Sequence, residues 1–213
     1  MPKDQEAPLV VIVDDEAAIR TAVGSLLRSV GYEVAHAASA VELLESDDLE
    51  RASCLVLDIR LPIVSGLDFQ KKLADLGKAV PIVFMTGHAD VPMTVRAMKA
   101  GAVDFLPKPF RDQEMLDAVA GAVERDRVAR EARDTIADIK ARYATLSPRE
   151  SEILGLATAG LLNKQIAAKL VLSEITVKIH RGKMMKKMEA RSFASLVKMA
   201  EAMGIKPAPG TAR

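Results

Sequence analysis

The stretch Cys54-Leu55-Val56-Leu57-Asp58-Ile59-Arg60-Leu61-Pro62 decides the fold: an apolar run ends in one carboxylate and is stopped by a proline. A run of this length suits a strand buried on both faces, as in a parallel sheet, with its last residue emerging at the carboxyl edge. That residue is Asp58. Ligands and chemistry gather at the carboxyl ends of strands in open α/β sheets, which makes Asp58 a candidate functional group. Taken alone, an aspartate there is more often a cap or a turn residue. Its neighbours in the chain decide between the two.

Upstream, Leu9–Val13 is a second apolar run, closed by Asp14-Asp15-Glu16. Ala17–Ser29 follows, with Ile19, Val23, Leu26, Leu27 and Val30 at helical spacing before Gly31. Glu33–Ala37 reads as a short strand. Ser39–Leu49 reads as one helix, with Ser39 and Glu42 at capping-box spacing. Downstream come a loop over Pro62–Gly66, a helix over Leu67–Leu76 stopped by Gly77, and a strand over Pro81–Met85 that leads into Thr86-Gly87-His88. A helix over Val91–Ala100 precedes Gly101, and the last strand, Val103–Leu106, leads into Pro107-Lys108-Pro109. Strands alternating with helices in this way predict an α/β doubly wound, five-stranded parallel sheet with right-handed crossovers.

With the strand order 2-1-3-4-5, strands one and three adjoin at the topological switch point, and Asp14, Asp15 and Asp58 share a pocket. Clustered carboxylates need a cation, and hard oxygen donors that leave room for a phosphoryl oxygen suit Mg²⁺. Thr86 and Lys108 flank the acids from strands four and five. Three acids, a hydroxyl and an ammonium at four strand ends are too consistent a set for unrelated caps. His36 and His88 have no sequence neighbours that would complete a metal site, and both are expected to be structural.

The chain has 213 residues, enough for one large or two ordinary domains, and 49% of them are hydrophobic. Tryptophan is absent and aromatics make up 3%, so cores must be built from Ala, Val, Leu, Ile and Met. The single cysteine, Cys54, excludes an internal disulfide and fits a reducing compartment. No apolar stretch approaches the roughly 18 residues of a membrane span, so no membrane partner is expected and the expected location is the cytoplasm. The net charge of +1 conceals an asymmetry: Met1–Arg125 carries 13 basic and 20 acidic residues, Thr145–Arg213 carries 12 and 5. An acidic front and a basic back predict two domains with different partners, the second a polyanion.

Between them, Arg111 to about Tyr143 reads as a helix through Leu116, Val119, Val123, Ile136 and Ile139, either a rigid rod or a hinge. Then Ser147-Pro148-Arg149-Glu150 sets Ser at N-cap, Pro at N1 and Glu at N3 of a helix that stops at Gly160. Asn163 is expected to cap a second helix, Lys164–Leu170. After the turn Val171-Leu172, Ser173 caps a third, Glu174–Met188, and a last helix spans Phe193–Met203. Two helices joined by so short a turn form a helix-turn-helix in a small all-α domain. With Val177, Met184 and Met188 inward, Ile175, Lys178, Ile179, Gly182, Lys183 and Lys186 face out, where lysines meet phosphates or guanine and isoleucines meet thymine methyls. Arg181 falls toward the buried side, with Glu150 or Glu152 as its expected partner.

Over Leu9 to about Glu124 the sequence resembles a response-regulator receiver domain, through Asp14, Asp15, Asp58, Thr86, Phe105 and Leu106-Pro107-Lys108-Pro109-Phe110. The resemblance implies that Asp58 accepts a phosphoryl group from a sensor histidine kinase, with Lys108 assisting. It implies Mg²⁺ on Asp15, Asp58 and the backbone carbonyl of Arg60, with Asp14 holding a metal-bound water. Thr86 and Phe105 would be the switch pair, and a homodimer would form on phosphorylation through the Val91–Ala100 helix and the Val103–Leu106 strand.

Over Leu146 to about Met203 the sequence resembles a LuxR-type DNA-binding domain, through Leu146–Glu150, Asn163-Lys164-Gln165-Ile166-Ala167 and Thr176-Val177-Lys178-Ile179-His180. The resemblance implies double-stranded DNA as partner, contacted by Asn163, Thr176, Lys178, Ile179, His180, Lys183 and Lys186, with RNA polymerase as a further partner. The domain order, with Thr-Gly-His-Ala-Asp at Thr86–Asp90, is similar to the FixJ/NarL type of response regulator, and to its FixJ branch in particular. The expected plan is a receiver over 1–125, a helical linker over 126–144, the DNA-binding domain over 145–206 and a flexible tail over 207–213. The chain is then a phosphorylation-controlled transcription regulator and no enzyme beyond self-phosphorylation and autodephosphorylation at Asp58. The alternatives are an aspartyl-phosphate phosphatase-like enzyme, for which Ile59-Arg60-Leu61-Pro62 supplies no second carboxylate, and a response regulator with a non-DNA output.

Overall fold

Five strands carry the first unit: β1 (Leu9–Val13), β2 (Glu33–Ala37), β3 (Cys54–Asp58), β4 (Ile82–Thr86) and β5 (Asp104–Pro107). In the computed structural model, which describes residues 7–87 and 90–205, they form one parallel sheet in the order β2-β1-β3-β4-β5. The expected order 2-1-3-4-5 is the observed one. Strands β4 and β5 begin one residue later than expected, so Thr86 and Pro107 are their last residues.

Strand periodicity explains how one sheet feeds two cores. Val11, Val13, Leu55, Leu57 and Phe84 point to one face, where α2 (Ala40–Glu45), α3 (Asp48–Arg51), α4 (Gly66–Asp75) and α5 (Val91–Lys99) cover them. Val10, Ile12, Cys54, Val56, Val83 and Met85 point to the other, under α1 (Ala17–Ser29) and the start of α6 (Asp112–Ala144). Cys54 is wholly buried, and burial pushes its thiol pKa up, so it is core. The expected single helix over Ser39–Leu49 is a correction: Ser46 is extended (φ −95°, ψ 155°) and splits it into α2 and α3. Ser39 does cap α2, accepting the Glu42 N–H.

The molecule divides into two compact units at Ala129/Arg130. Helix α6 contributes Met115, Val119 and Ala122 to the first unit's core and Ile139 to the second's. The second unit adds α7 (Pro148–Thr158), α8 (Asn163–Leu170), α9 (Glu174–Lys187) and α10 (Phe193–Ala202). Its core is Ile153, Leu154, Ile166, Val177, Met184, Met188 and Leu196 with their neighbours. Among the described residues no helix is long and apolar enough to cross a membrane. His88 and the expected tail over 207–213 lie outside the described residues.

Candidate functional site

The register Val13↔Leu57 sets the ends of β1 and β3 side by side, and the next residues are Asp14 and Asp58. Asp14 is fully buried, Asp58 is 5% exposed, and Asp15 beside them is open to solvent. One oxygen from each of the three lies within 4.8 Å of the others. Lys108 enters from the end of β5, with Nζ 2.7 Å from Asp14 Oδ2 and 2.8 Å from Asp58 Oδ2. The remaining oxygens accept backbone N–H groups, Asp14 Oδ1 that of Glu16 at 2.8 Å and Asp58 Oδ1 that of Arg60 at 2.9 Å. Each buried carboxylate is thus fixed by one amide and one ammonium, the charge-assisted bonds that hold a buried acid in a single orientation.

Burial raises the pKa of Asp14, opposed by its bond to Lys108. Burial works against the charged form of Lys108 as well, but the two carboxylates outweigh it and raise its pKa above the ordinary lysine range. The ammonium is therefore charged at any physiological pH. Thr86 is buried at the end of β4, and its carbonyl accepts the Lys108 N–H at 2.7 Å. Phe105 is half-buried on β5, its ring 6.5 Å from that of Phe84 and tilted by 46°. The expected acids and the lysine are brought together, and Thr86 reaches the same sheet edge.

Two supporting residues were not singled out in the sequence. A Cβ on Gly66 would lie 2.4 Å from the carbonyl oxygen of Asp58, so only glycine permits the start of α4 to press on the acceptor's own backbone. Arg20 donates from Nη1 to the Asp14 carbonyl at 2.6 Å and ties α1 to the pocket. On α5, capped by Asp90, which accepts the Met93 N–H, Val91 is 76% exposed, and Val95 and Met98 are each 43% exposed.

In the second unit, Val171 holds the left-handed conformation (φ 55°) at the turn after α8, and Ser173 accepts the Thr176 N–H to open α9. Val177, Met184 and Met188 are buried as the periodicity predicts. Ile175, Lys178, Ile179, Gly182, Lys183 and Lys186 are exposed, whereas Thr176 and His180 are half-buried.

Two expectations fail here. Asn163 is not the cap of α8 but its first residue; the cap position belongs to Leu162, whose N–H donates to Gln165 Oε1 at 2.8 Å. Asn163 Oδ1 instead accepts from Arg181 Nη1 at 2.9 Å, and the Arg181 guanidinium lies 4.8 Å from the Phe193 ring centroid. Arg181 therefore does tie α9 to α8, through an amide rather than an acid. The acids are occupied: Glu152 pairs with Arg149, and Glu150 completes the Ser147 capping box while accepting from Lys187 Nζ at 2.6 Å. Lys187 and then the Ser147 amide hold the Glu150 pKa well down, at about 2.

Comparison with known proteins bears on both halves. Residues 10–120 match the response regulator receiver domain, and residues 144–200 match the bacterial regulatory proteins of the luxR family. Nodulation protein W of Bradyrhizobium diazoefficiens is 57% identical over 197 residues, 92% of this chain and 87% of that protein. The transcriptional regulatory protein FixJ of Rhizobium meliloti is 43% identical over 198 residues, 93% of this chain and 97% of that protein. The response regulator StyR gives a TM-score of 0.81 at 45% identity, over 92% of this chain and 98% of that one. A receiver joined to a LuxR-type domain is the make-up of a DNA-binding response regulator of a two-component system. The chain belongs to the FixJ-type response regulators.

Proposed function

We infer that Asp58 is the phosphoacceptor, and that its phosphorylation by a sensor histidine kinase switches dimerisation and DNA binding. The carrying observation is the triple contact of Asp58: Lys108 at 2.8 Å, the Arg60 amide at 2.9 Å, and two more carboxylates within 4.8 Å. An oxygen of Asp58 attacks phosphorus, the phosphorus–nitrogen bond of the phosphohistidine breaks, and the electron pair stays with the departing imidazole. Lys108 holds the acceptor in place and offsets charge on the transferring oxygens. Three carboxylates against one ammonium nominally leave two negative charges, all on hard oxygens, a donor set that fits Mg²⁺. Asp14, Asp15, Asp58 and the Arg60 carbonyl would hold the ion, which when bound neutralises phosphoryl charge.

Thr86 is the hydroxyl that reports the new phosphoryl group and Phe105 the ring that follows it. The exposed Val91, Val95 and Met98, with β5, form the dimer surface. The receiver is taken as 1–125, the linker as 126–144 and the DNA-binding domain as 145–206. In that domain Lys178 and Ile179 face the bases of the major groove, Thr176, His180 and Lys183 lie toward the backbone, and Lys186 lies on the same outer face. Asn163, whose Oδ1 is taken by Arg181, offers only its NH₂ group. RNA polymerase is the partner through which a bound dimer acts on transcription, in the cytoplasm.

Incubation with acetyl phosphate and Mg²⁺, read on a phosphate-affinity gel, tests the acceptor. Wild type shifts and Asp58→Ala does not. An equal shift in both would remove Asp58 from the role.

A further inference from the structure

Helix α9 carries lysines on its flanks and an alkyl ridge along its crest. The burial of Val177, Met184 and Met188 turns Ile175, Ile179 and Lys186 furthest from the core. Ile175 is 73% exposed and Ile179 54%. Single exposed isoleucines are ordinary. Two of them one turn apart, on the face whose lysines meet a polyanion, need a ligand with an apolar spot.

The base edges in the major groove of DNA offer one such spot, the C5-methyl group of thymine. Side chains four apart on a helix have Cβ atoms about 5–6 Å from each other. Bases rise by about 3.4 Å per step along a strand. The pair therefore spans one to two base steps. Gly182 lies next to this ridge, and a Cβ there would meet nothing within 4 Å, so no neighbour in the domain requires glycine. Glycine is nevertheless disfavoured inside a helix. Its bare backbone lowers the surface beside Ile179, which gives clearance toward a base pair.

We propose that Ile175 and Ile179 together read the methyl groups of two thymines, one or two base steps apart in each half-site, with Gly182 providing the clearance. The inference rests on the assignment of α9 to DNA and adds Ile175 to the residues that touch it. The readout is the methyl group itself, so 5-methylcytosine keeps the contact and uracil loses it.

The test uses the full chain with acetyl phosphate. Duplexes are enriched from a random pool, and each thymine of the winning site is then replaced by deoxyuridine, which removes only the methyl group. Each of two positions per half-site is expected to weaken binding about fourfold, the value of one buried methylene-sized group. Ile175→Ala makes thymine and uracil equivalent at one of the two positions, and Ile179→Ala at the other. Equal binding of every uracil duplex by the wild type overturns the proposal. So does Ile175→Ala that keeps full discrimination at both positions, or that loses only self-association, which would give the ridge to a second copy of the chain. Absence of salt-sensitive duplex binding by the wild type fails the DNA assignment itself, and the proposal with it.

Discussion

The acidic pocket and the helix α9 are built in opposite ways. The pocket gathers Asp14, Asp58 and Lys108 from three strands, with Asp14 and Asp58 hidden and each side chain fixed by the others. Helix α9 presents Lys178, Ile179 and Lys183 from one continuous segment, all open to solvent. Groups that share buried charge are strongly coupled, while well-separated exposed groups act nearly independently. A substitution in the pocket therefore propagates to every member. One on α9 subtracts a single contact.

The largest effect expected from that contrast is at Lys108. Lys108→Met leaves Asp14 and Asp58 facing each other without their ammonium, and phosphotransfer is expected to fall by roughly 10²–10³-fold. Single-turnover kinetics from a phosphorylated kinase measure it. A fall below about threefold would mean that the pocket is no more coupled than the helix.

Gly66→Ala comes next. Its Cβ would meet the Asp58 carbonyl oxygen at 2.4 Å, so the loop must shift, at an expected cost of about 1–3 kcal/mol in urea unfolding and a slower phosphotransfer. Unchanged values in both would show that the loop is slack. Glu150→Gln sharpens the other side, because Glu150 is a buried acid of the second unit paired with Lys187. At pH 7 the loss of its bond to Lys187 is expected to destabilise by about 1–2 kcal/mol. The folded-state pKa of Glu150 lies below its ordinary 4.5, at about 2, so its stabilising effect is fully present above the ordinary value. The gap between wild type and variant therefore closes as the pH falls from 4.5 toward 2, and a gap independent of pH would contradict the pairing. The smallest effect is at Arg181→Ala, which removes the Asn163 bond and the Phe193 contact and is expected to cost about 1 kcal/mol. Thermal unfolding of the second unit reads it, and no change would leave the orientation of α9 on α8 to apolar packing alone.

The same contrast governs what could be read from the sequence. The sheet was legible because its central strands β1, β3 and β4, buried on both faces, are nearly continuous apolar runs, and the order of the strand-end residues supplied the pocket once the topology was assumed. Helix α9 was legible because capping and periodicity are local. What escaped depends on tertiary neighbours. The break at Ser46 falls in a stretch, Ser39–Leu49, that holds neither proline nor glycine to announce it, and only the backbone shows it. Gly66 looked like one more loop glycine until the carbonyl of Asp58 lay against it. Arg181 was correctly placed on the inner side, but Lys187, almost two turns later, had the prior claim on Glu150. Asn163 has the chemistry of a cap, yet the helix starts one residue earlier and frees its carboxamide for Arg181.

Most direct for the link between pocket and helix is the DNA affinity of the full chain, with and without acetyl phosphate, for wild type and Asp58→Ala in parallel. If phosphorylation of Asp58 is the switch, the wild type tightens by about 5–150-fold, the usual range of coupling between two sites, and Asp58→Ala does not respond. Equal affinity in all four samples would contradict it.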